Sequence, residues 1–366
     1  MKKLLFSLLL AGCTFPAIAQ PSGTARVDTG SLSGAFYRID LPANWNRKLI
    51  MYAHGYEVIG SPSGTRLASA SGGVGPYLQR GYAVAQSAYR RQGWAVGEGV
   101  EDTELLRQHF IQKYGKPDTT FMTGHSMGGM ITLATIEKYP QHYQGALPMC
   151  PLSGRLHESL KAHLFDMLVT FDALFPNTLP ALDQLALGSV PPVAPAIIVR
   201  RVQSDTALAR RFAERYALHP GDLANVIWFF QEIFRDISQQ AGGNPFDNTN
   251  TVYNGFPDDV ALNRRVLRLS EKVEARHFLE KDGSFTGQLS RPMLLMHTTY
   301  DQLIPAAQAT AYDAIVRRAG NERFFVTRFT TGSGHCAFTP AQTGAALDAL
   351  REWISTGKKP APGEIR

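Results

Sequence analysis

A serine flanked by glycines is the feature of this sequence best suited to chemistry. Ser126 lies in FMTGHSMGGM (residues 121–130), two positions after Gly124 and two before Gly128. The residues before it read as a buried strand, and those after it read as a helix. Larger residues at the two glycine positions would clash with neighbouring backbone in a tight strand-to-helix turn. The pattern therefore predicts a turn that presents the Ser126 hydroxyl as a nucleophile.

Two residues further along the chain are suited to activating this hydroxyl. A serine hydroxyl is a weak nucleophile until a base takes its proton, and His335 in GSGHC follows the last predicted strand. The imidazole needs a buried acid to hold its tautomer and stabilise its charge, and Asp301 stands just past the preceding strand. A loop histidine and a turn or helix-capping aspartate are the structural alternatives. We hypothesise that Ser126, His335 and Asp301 form a catalytic triad.

The chain resembles the α/β-hydrolase superfamily in the segments that carry these residues. The similar segments are AHGY, GHSMGG, HTTYDQLIP and GHCAF, within about residues 30–150 and 290–356, and the triad residues follow the order Ser, Asp, His. The loop YRRQGWAVGEG (89–99) is similar to one in prolyl-oligopeptidase-like serine hydrolases. This resemblance implies the fold and the triad, but it does not extend to residues 152–290.

The resemblance also suggests two donors for an oxyanion hole. The first is the backbone N–H of Met127, at the start of the helix after the serine. His54 and Gly55 followed by Tyr56 resemble the His-Gly oxyanion segment of the superfamily, so we assign the second donor to the Tyr56 N–H. His54 itself is expected to organise the loop rather than to act as a base.

Apolar runs that alternate with helical patterns predict the elements that position these residues. This alternation indicates an α/β fold with a mostly parallel, doubly wound sheet, built from residues 25–151 and 291–356. The final residues 357–366 are expected to be a flexible tail. The predicted strands are 25–32, 34–41, 48–56, 82–90, 119–126, 145–151, 291–301 and 324–336, and the predicted helices in the core are 64–80, 99–115, 127–139, 305–319 and 340–356.

Residues 152–290 read as helical and are expected to form a cap over the site. Ser126 and Asp301 are 301 − 126 = 175 positions apart, more than one or two strand–helix units need. The segment VIWFFQEIF (226–234), with Trp228 and Phe229, is expected to line an apolar acyl or aryl pocket or to form the cap's own core. Trp94 and Tyr56 are candidates for the cleft border, with simple packing as the alternative.

The N-terminus predicts export. MKK followed by LLFSLLLAG is typical of a secretory signal and is too short to span a bilayer. AIAQ suits signal peptidase, with residues 1–19 removed, whereas LAGC resembles a lipobox, with residues 1–12 removed and Cys13 lipidated. We expect a periplasmic or secreted protein, attached to a membrane only through a lipid on Cys13 in the second case.

Cys150 and Cys336 are the unmodified cysteines that remain after either cleavage. Two cysteines in an oxidising compartment suggest one disulfide, and both positions fall at the carboxyl edge of the predicted sheet. We expect a Cys150–Cys336 bond that fixes the histidine loop, with two separate buried thiols as the alternative.

Charge and motif content argue against other classes of function. The net charge of +6 comes from scattered basic residues, which does not favour a nucleic-acid partner. The cysteine spacing matches no zinc site and no HExxH motif occurs, so we expect neither a metal nor an organic cofactor. With 44% hydrophobic and 19% charged residues, the chain is globular with a large core.

The leading hypothesis is an exported serine hydrolase that cleaves small-molecule or polymeric carboxylic esters through an acyl-enzyme. A prolyl-oligopeptidase-like peptidase is the alternative among enzymes. The sequence carries no propeller repeats and no convincing acidic pair for a substrate amine, and both features weaken that alternative. A non-catalytic binding protein on the same fold is the alternative of another class.

Overall fold

One nine-stranded sheet lies at the centre of this computed structural model, which describes residues 25–62, 67–68 and 73–365. The strand order is β1-β2-β4-β3-β5-β6-β7-β8-β9. Pairing is antiparallel from β1 through β2 to β4 and parallel across the rest of the sheet. The strands are β1 Arg26–Leu32, β2 Ala35–Leu41, β3 Lys48–Ala53, β4 Ala83–Ser87, β5 Thr119–His125, β6 Gly145–Met149, β7 Met293–Tyr300, β8 Phe325–Ser333 and β9 Gly363–Glu364.

The central strands are continuous apolar runs because helices cover both faces of the sheet. Every residue of β4 and β6 is buried, as expected for parallel strands with no solvent-facing side. The helices of the core are α1 Gly75–Leu78, α2 Val96–Tyr114, α3 Met127–Lys138, α12 Ala307–Arg318 and α13 Pro340–Thr356, with 3-10 turns at Pro140–His142 and Glu322–Phe324. The predicted α/β class with a mostly parallel, doubly wound sheet is confirmed.

A helical segment is inserted between β6 and β7, where residues 152–290 are predicted to form a cap. Its aromatic core is continuous with the core on the α2 and α3 side of the sheet, so the inserted segment packs directly on that layer of helices. Phe165, Phe171, Phe212 and Phe234 are among its fully buried side chains. The cap contains α4 Leu156–Leu160, a π-helical turn Lys161–Phe165, α5 Asp166–Leu174, α6 Leu182–Ala186, α7 Pro195–Gln203, α8 Thr206–Arg215, α9 Leu223–Gln240, α10 Asp259–Arg265 and α11 Val273–Gly283.

The C-terminal tail is not flexible, contrary to the prediction for residues 357–366. Gly363–Glu364 pairs in parallel with β8, and the Ile365 N–H donates to the Phe329 carbonyl at 2.7 Å. Ile365 is only 3% exposed. Without the tail, β8 would be an edge strand with unpaired backbone groups, and covering such an edge is favourable.

The first predicted helix is also much shorter than expected. Among the described residues of 64–80, only Gly75–Leu78 is helical, and it begins at a Gly-Pro pair and is followed by Gly81 at φ 76°. The predicted signal segment, in either form, and Cys13 lie outside the described residues. Across the part of the chain that the structure describes, none of the helices combines the length and apolarity that crossing a membrane requires.

Candidate active site

Ser126 lies in the tight turn between β5 and α3 that the glycine pattern predicts. Its backbone has φ 59° and ψ −123°, a strained conformation for a residue with a side chain. A Cβ on Gly124 would lie 2.4 Å from the Gly128 carbonyl oxygen, and one on Gly128 would lie 2.1 Å from that of Ala53. The two glycines therefore allow the close approach of β3, β5 and α3 that leaves Ser126 at the carboxyl end of the sheet.

Asp301 and His335 form a hydrogen-bonded pair just after the ends of β7 and β8. The His335 Nδ1 donates to the Asp301 carboxylate, 2.9 and 2.8 Å from its two oxygens. Asp301 is buried, and its Oδ1 also accepts hydrogen bonds from the N–H groups of Leu303 and Ile304 at 2.9 and 2.8 Å. Burial alone would raise the pKa of Asp301, but the bond and charge of His335 and the two amides outweigh it and lower that pKa. An ionised acid that accepts from Nδ1 leaves Nε2 available as a base.

A disulfide links this pair to the serine turn. Cys150, directly after β6, is bonded to Cys336, which follows His335, so the predicted pairing is confirmed. The Ser126 N–H donates to the Met149 carbonyl at 3.0 Å, next to Cys150. Within the described residues, Ser126 Oγ and His335 do not share a hydrogen bond. The structure brings Asp301 and His335 together and connects them to the serine turn through Cys336, Cys150 and Met149.

His125, the residue before Ser126, supports this placement. Burial, with a smaller contribution from the charge of His335, lowers the pKa of His125 to about 4. Its Nδ1 lies 2.9 Å from the Tyr52 hydroxyl, and its ring is 5.9 Å from the Phe338 ring in the histidine loop. His125 is therefore neutral near pH 7 and packs between the serine turn and that loop.

Breaking the disulfide should weaken catalysis before it unfolds the chain. Because the bond holds the loop that carries His335, its reduction should lower kcat by about a hundredfold, the typical cost of misplacing a catalytic group by about 1 Å. We would measure activity and thermal unfolding across a dithiothreitol series. The control is a Cys150→Ala/Cys336→Ala variant, whose activity should not respond to dithiothreitol. Full activity of the reduced wild type would contradict this role.

Tyr56 and Met127, the two predicted oxyanion positions, line the same cavity as Ser126. A Cβ on Gly55, the neighbour of Tyr56, would lie 3.8 Å from Ser126 Oγ. Met127 is the first residue of α3, where N–H groups have no partner within the helix. His54 organises the loop as expected, since its Nδ1 lies 2.7 Å from the Gly55 carbonyl and its ring stacks on Tyr89.

An apolar cavity of about 60 Å³ opens at Ser126 beneath the cap. Trp94 and Phe229 line it as predicted, but Trp228 does not. Successive residues of α9 are turned by about 100°, so Phe229 and Ile233 face the cavity while Trp228 lies outside it. The lining residues are Tyr56, Trp94, Ser126, Met127, Met130, Leu152, Ser159, Leu160, His163, Leu164, Phe229, Phe230, Ile233, Leu303 and Ile304.

Asp236 in α9 joins the cap to both loops that border the serine. Its Oδ2 accepts the Tyr56 hydroxyl at 3.0 Å and the Trp94 N–H at 2.6 Å. A Cβ on Gly93 would lie 2.3 Å from the same oxygen. Burial raises the pKa of Asp236. Asp236 is not among the site residues predicted above, although an acid three positions after Ile233 on an apolar helix face indicates a buried contact.

Removing this carboxylate should impair catalysis through the Tyr56 loop. In Asp236→Ala the Tyr56 hydroxyl and the Trp94 N–H lose their buried acceptor. If the Tyr56 N–H is the oxyanion donor, as predicted, its displacement should lower kcat by about tenfold or more. Asn225→Ala, an exposed change in the same helix, is the matched control. Steady-state kinetics and melting temperatures of both variants would test this, and unchanged kcat in a folded Asp236→Ala protein would refute it.

Asp301, His335 and Cys336 also place potential metal-ligand atoms within 4.8 Å of one another. The Cys336 sulfur is consumed in the disulfide, and the His335 Nδ1 is bonded to the Asp301 carboxylate. These contacts favour an acid–histidine pair over a metal site at this place.

The sequence of this chain is similar to one family profile and to one characterised enzyme. A sequence profile described as a tannase-like family of unknown function (DUF6351) matches residues 34–169. The chain is 21% identical over 404 aligned positions to an o-phthalyl amidase from Xanthobacter agilis, covering 90% of this chain and 87% of that one.

Solved structures show the fold. Feruloyl esterase B from Aspergillus oryzae is similar with a TM-score of 0.51 at 12% identity, over 96% of this chain and 86% of that chain. Acylaminoacyl peptidase from Pyrococcus horikoshii has a TM-score of 0.44 at 12% identity, over 85% of this chain. Against that protein and two other longer peptidase structures, this chain spans 37%, 36% and 41% of their lengths. The fold that this chain shares with feruloyl esterase B is the α/β-hydrolase fold.

Proposed function

We propose that this protein is a serine hydrolase that cleaves carboxylic esters through an acyl-enzyme. The observation that carries the proposal is the Asp301–His335 pair beside the Ser126 turn, with both joined through the Cys150–Cys336 disulfide. The proposed nucleophile, acid and base follow β5, β7 and β8 of one sheet, and their chain order, which is typical of the fold, supports the proposal.

In the proposed mechanism, Ser126 Oγ attacks the ester carbonyl while His335 Nε2 takes the hydroxyl proton. Asp301 orients the imidazole and stabilises its positive charge. The tetrahedral oxyanion accepts hydrogen bonds from the N–H groups of Met127 and Tyr56. Each of these hydrogen bonds lowers the activation barrier by about 3 kcal/mol. The alcohol leaves with the proton from His335, and water then attacks the acyl-enzyme by the same path. We expect the hydrogen bond from Ser126 to His335 to form in the substrate complex, since such bonds are often long without substrate.

The acyl group is proposed to be aromatic. The cavity at Ser126 is lined by Tyr56, Trp94, Phe229 and Phe230 together with aliphatic side chains. Flat aromatic groups pack well against such walls. The name of the o-phthalyl amidase relative also refers to an aromatic acyl group.

Cleavage of an amide is the second candidate, because that relative is named as an amidase. Among amide-cleaving enzymes, the sequence suggests a prolyl-oligopeptidase-like peptidase.

The test is a panel of p-nitrophenyl esters, with benzoyl and butyryl groups, against benzoyl and aminoacyl p-nitroanilides. We expect the benzoyl ester to have the highest kcat/KM. A higher value for an anilide would favour the amidase, and no turnover at all would favour a binding protein.

We also propose that the protein is exported, to the periplasm or beyond, as the N-terminal pattern predicts. A disulfide with cysteines 186 positions apart supports an oxidising compartment. Mass spectrometry of the mature protein would distinguish a start at Gln20 from a lipid on Cys13.

A further inference from the structure

Tyr300, the residue directly before Asp301, is bonded through its side chain to the cap. Its hydroxyl accepts the backbone N–H of His219 at 2.8 Å and donates to the Asp222 Oδ2 at 2.6 Å. The His219 ring stacks on the Tyr300 ring, with centroids 3.8 Å apart and planes 14° apart. His219 and Asp222 lie between α8 and α9. Three contacts therefore fix the Tyr300 side chain to one short loop of the cap.

The backbone of Tyr300 is bonded to the loop that carries His335. The Tyr300 carbonyl accepts the Gly334 N–H at 3.0 Å and the Thr298 hydroxyl at 2.9 Å. Gly334 directly precedes His335. The pairing of β7 with β8 is irregular between Thr298 and Tyr300, and β-bulges near active sites often re-aim a side chain. A shift of Tyr300 would therefore move the histidine loop through Gly334, and Asp301 through the chain itself.

The cap helix α9 is held near both ends by tyrosine–aspartate hydrogen bonds. Asp222 directly precedes this helix and accepts from Tyr300, while Asp236 near its other end accepts from Tyr56. Phe229, between these two contacts, lines the apolar cavity. One helix thus connects a wall of the cavity with the aspartate side and the Tyr56 side of the site.

The Tyr300 hydroxyl is suited to a lasting donor role. Burial, and next the bond to Asp222, raises the pKa of Tyr300 to about 12, so the hydroxyl keeps its proton near pH 7. Hydrogen bonds to a carboxylate are stronger than those between neutral groups. Among the described residues, those that line the cavity at Ser126 do not include Tyr300. Its hydroxyl can therefore affect alignment without contact to an acyl group.

We infer that Tyr300 is a positioning residue that couples the cap loop before α9 to the alignment of Asp301 and His335. While its hydroxyl is bonded to that loop, the Tyr300 backbone holds the acid and the histidine loop in place. When this bond is lost, the acid–base pair becomes less well aligned. The effect on turnover rests on the proposed function, whereas the coupling between the cap loop and the histidine loop does not require it.

The kinetics of Tyr300→Phe give the first test. This change keeps the stacked ring but removes both hydrogen bonds of the hydroxyl. We expect kcat for p-nitrophenyl benzoate to fall by about tenfold, the usual worth of a hydrogen bond to a charged group. KM should stay within about twofold of the wild-type value, because the cavity is unchanged. Tyr114→Phe removes a similar half-buried bond, to Asp28, and is the matched control that should keep kcat. A wild-type kcat in Tyr300→Phe overturns the inference.

Variants of Asp222 separate positioning from a general loss of stability. Asp222→Ala should lower kcat about as much as Tyr300→Phe does. The double variant should stay close to the Tyr300→Phe value, because both changes break the same bond. Asp222→Asn keeps an oxygen that can accept, so it should recover most of the loss. Losses that multiply in the double variant overturn the inference.

Amide hydrogen exchange tests the coupling even if no ester is cleaved. In Tyr300→Phe, the peptide that contains Gly334 should exchange about threefold faster or more, because the histidine loop opens more often. Peptides from β3 and β5 should keep their wild-type rates, and Tyr114→Phe should change none of these rates. If no ester is turned over, faster exchange confined to the Gly334 peptide upholds the coupling. Unchanged exchange there, or equal acceleration in all peptides, overturns it. If Tyr300→Phe does not fold, Asp222→Ala decides the outcome.

Discussion

Replacing Ser126 by alanine should lower kcat for p-nitrophenyl benzoate by about a millionfold, the loss seen when the nucleophile of such a triad is removed. Without Oγ no acyl-enzyme forms, and the oxyanion donors and the apolar cavity support only residual attack by water. Far-ultraviolet dichroism and the melting temperature should stay at wild-type values, because alanine is small enough for the turn.

The control for this experiment is Ser355→Ala, an exposed serine in α13, which should keep full activity. The proposal fails if Ser126→Ala retains more than about a hundredth of the wild-type kcat at equal purity. Hydrolysis would then depend on another group, and the Ser126 turn would be a structural feature.

Replacing His335 by alanine should cost nearly as much, again about a millionfold in kcat, since Ser126 is a weak nucleophile without its base. Groups that act as a unit are strongly non-additive. The Ser126→Ala/His335→Ala double variant should therefore be no slower than either single variant. Steady-state assays at high enzyme concentration would measure all three.

His277→Ala is the matched control, an exposed histidine whose loss should leave kcat unchanged. Additive losses in the double variant would contradict the proposed unit, because they would mean that Ser126 and His335 act in separate ways. An active His335→Ala protein would point to a different base.

Much of the site was predictable because strand ends and tight turns leave local signals. In the structure, a side chain on Gly124 or Gly128 would clash with the backbone of Ala53 or Gly128. The glycine pattern around Ser126 therefore indicates positions where only glycine fits. Asp301 follows β7, whose first six residues are buried, and His335 follows β8, whose first two residues are buried. Parallel strands place their carboxyl ends at one edge, which brings residues 175 and 34 positions apart together. The disulfide between Cys150 and Cys336 was predictable on the same ground.

The side-chain contacts within the cap could not be predicted from the sequence, because they depend on how the helices rotate and pack. Trp228 and Phe229 are adjacent in sequence, yet only Phe229 lines the cavity. His163 lies in a π-helical turn, which changes the face of the helix without any sequence pattern to show it. Asp236 accepts a hydrogen bond from Tyr56, which lies 180 positions earlier in the chain. The C-terminal strand at Gly363–Glu364 was missed because two residues are too few to show periodicity.

Direct trapping of the acyl-enzyme tests the central claim of this account. The wild type would be mixed with p-nitrophenyl benzoate, quenched in acid within the first turnover, digested and mapped by mass spectrometry. We predict a benzoyl group on Ser126, and none on Ser126→Ala treated in the same way. A benzoyl group on another residue, or continued turnover with no acylated peptide at all, would contradict the account.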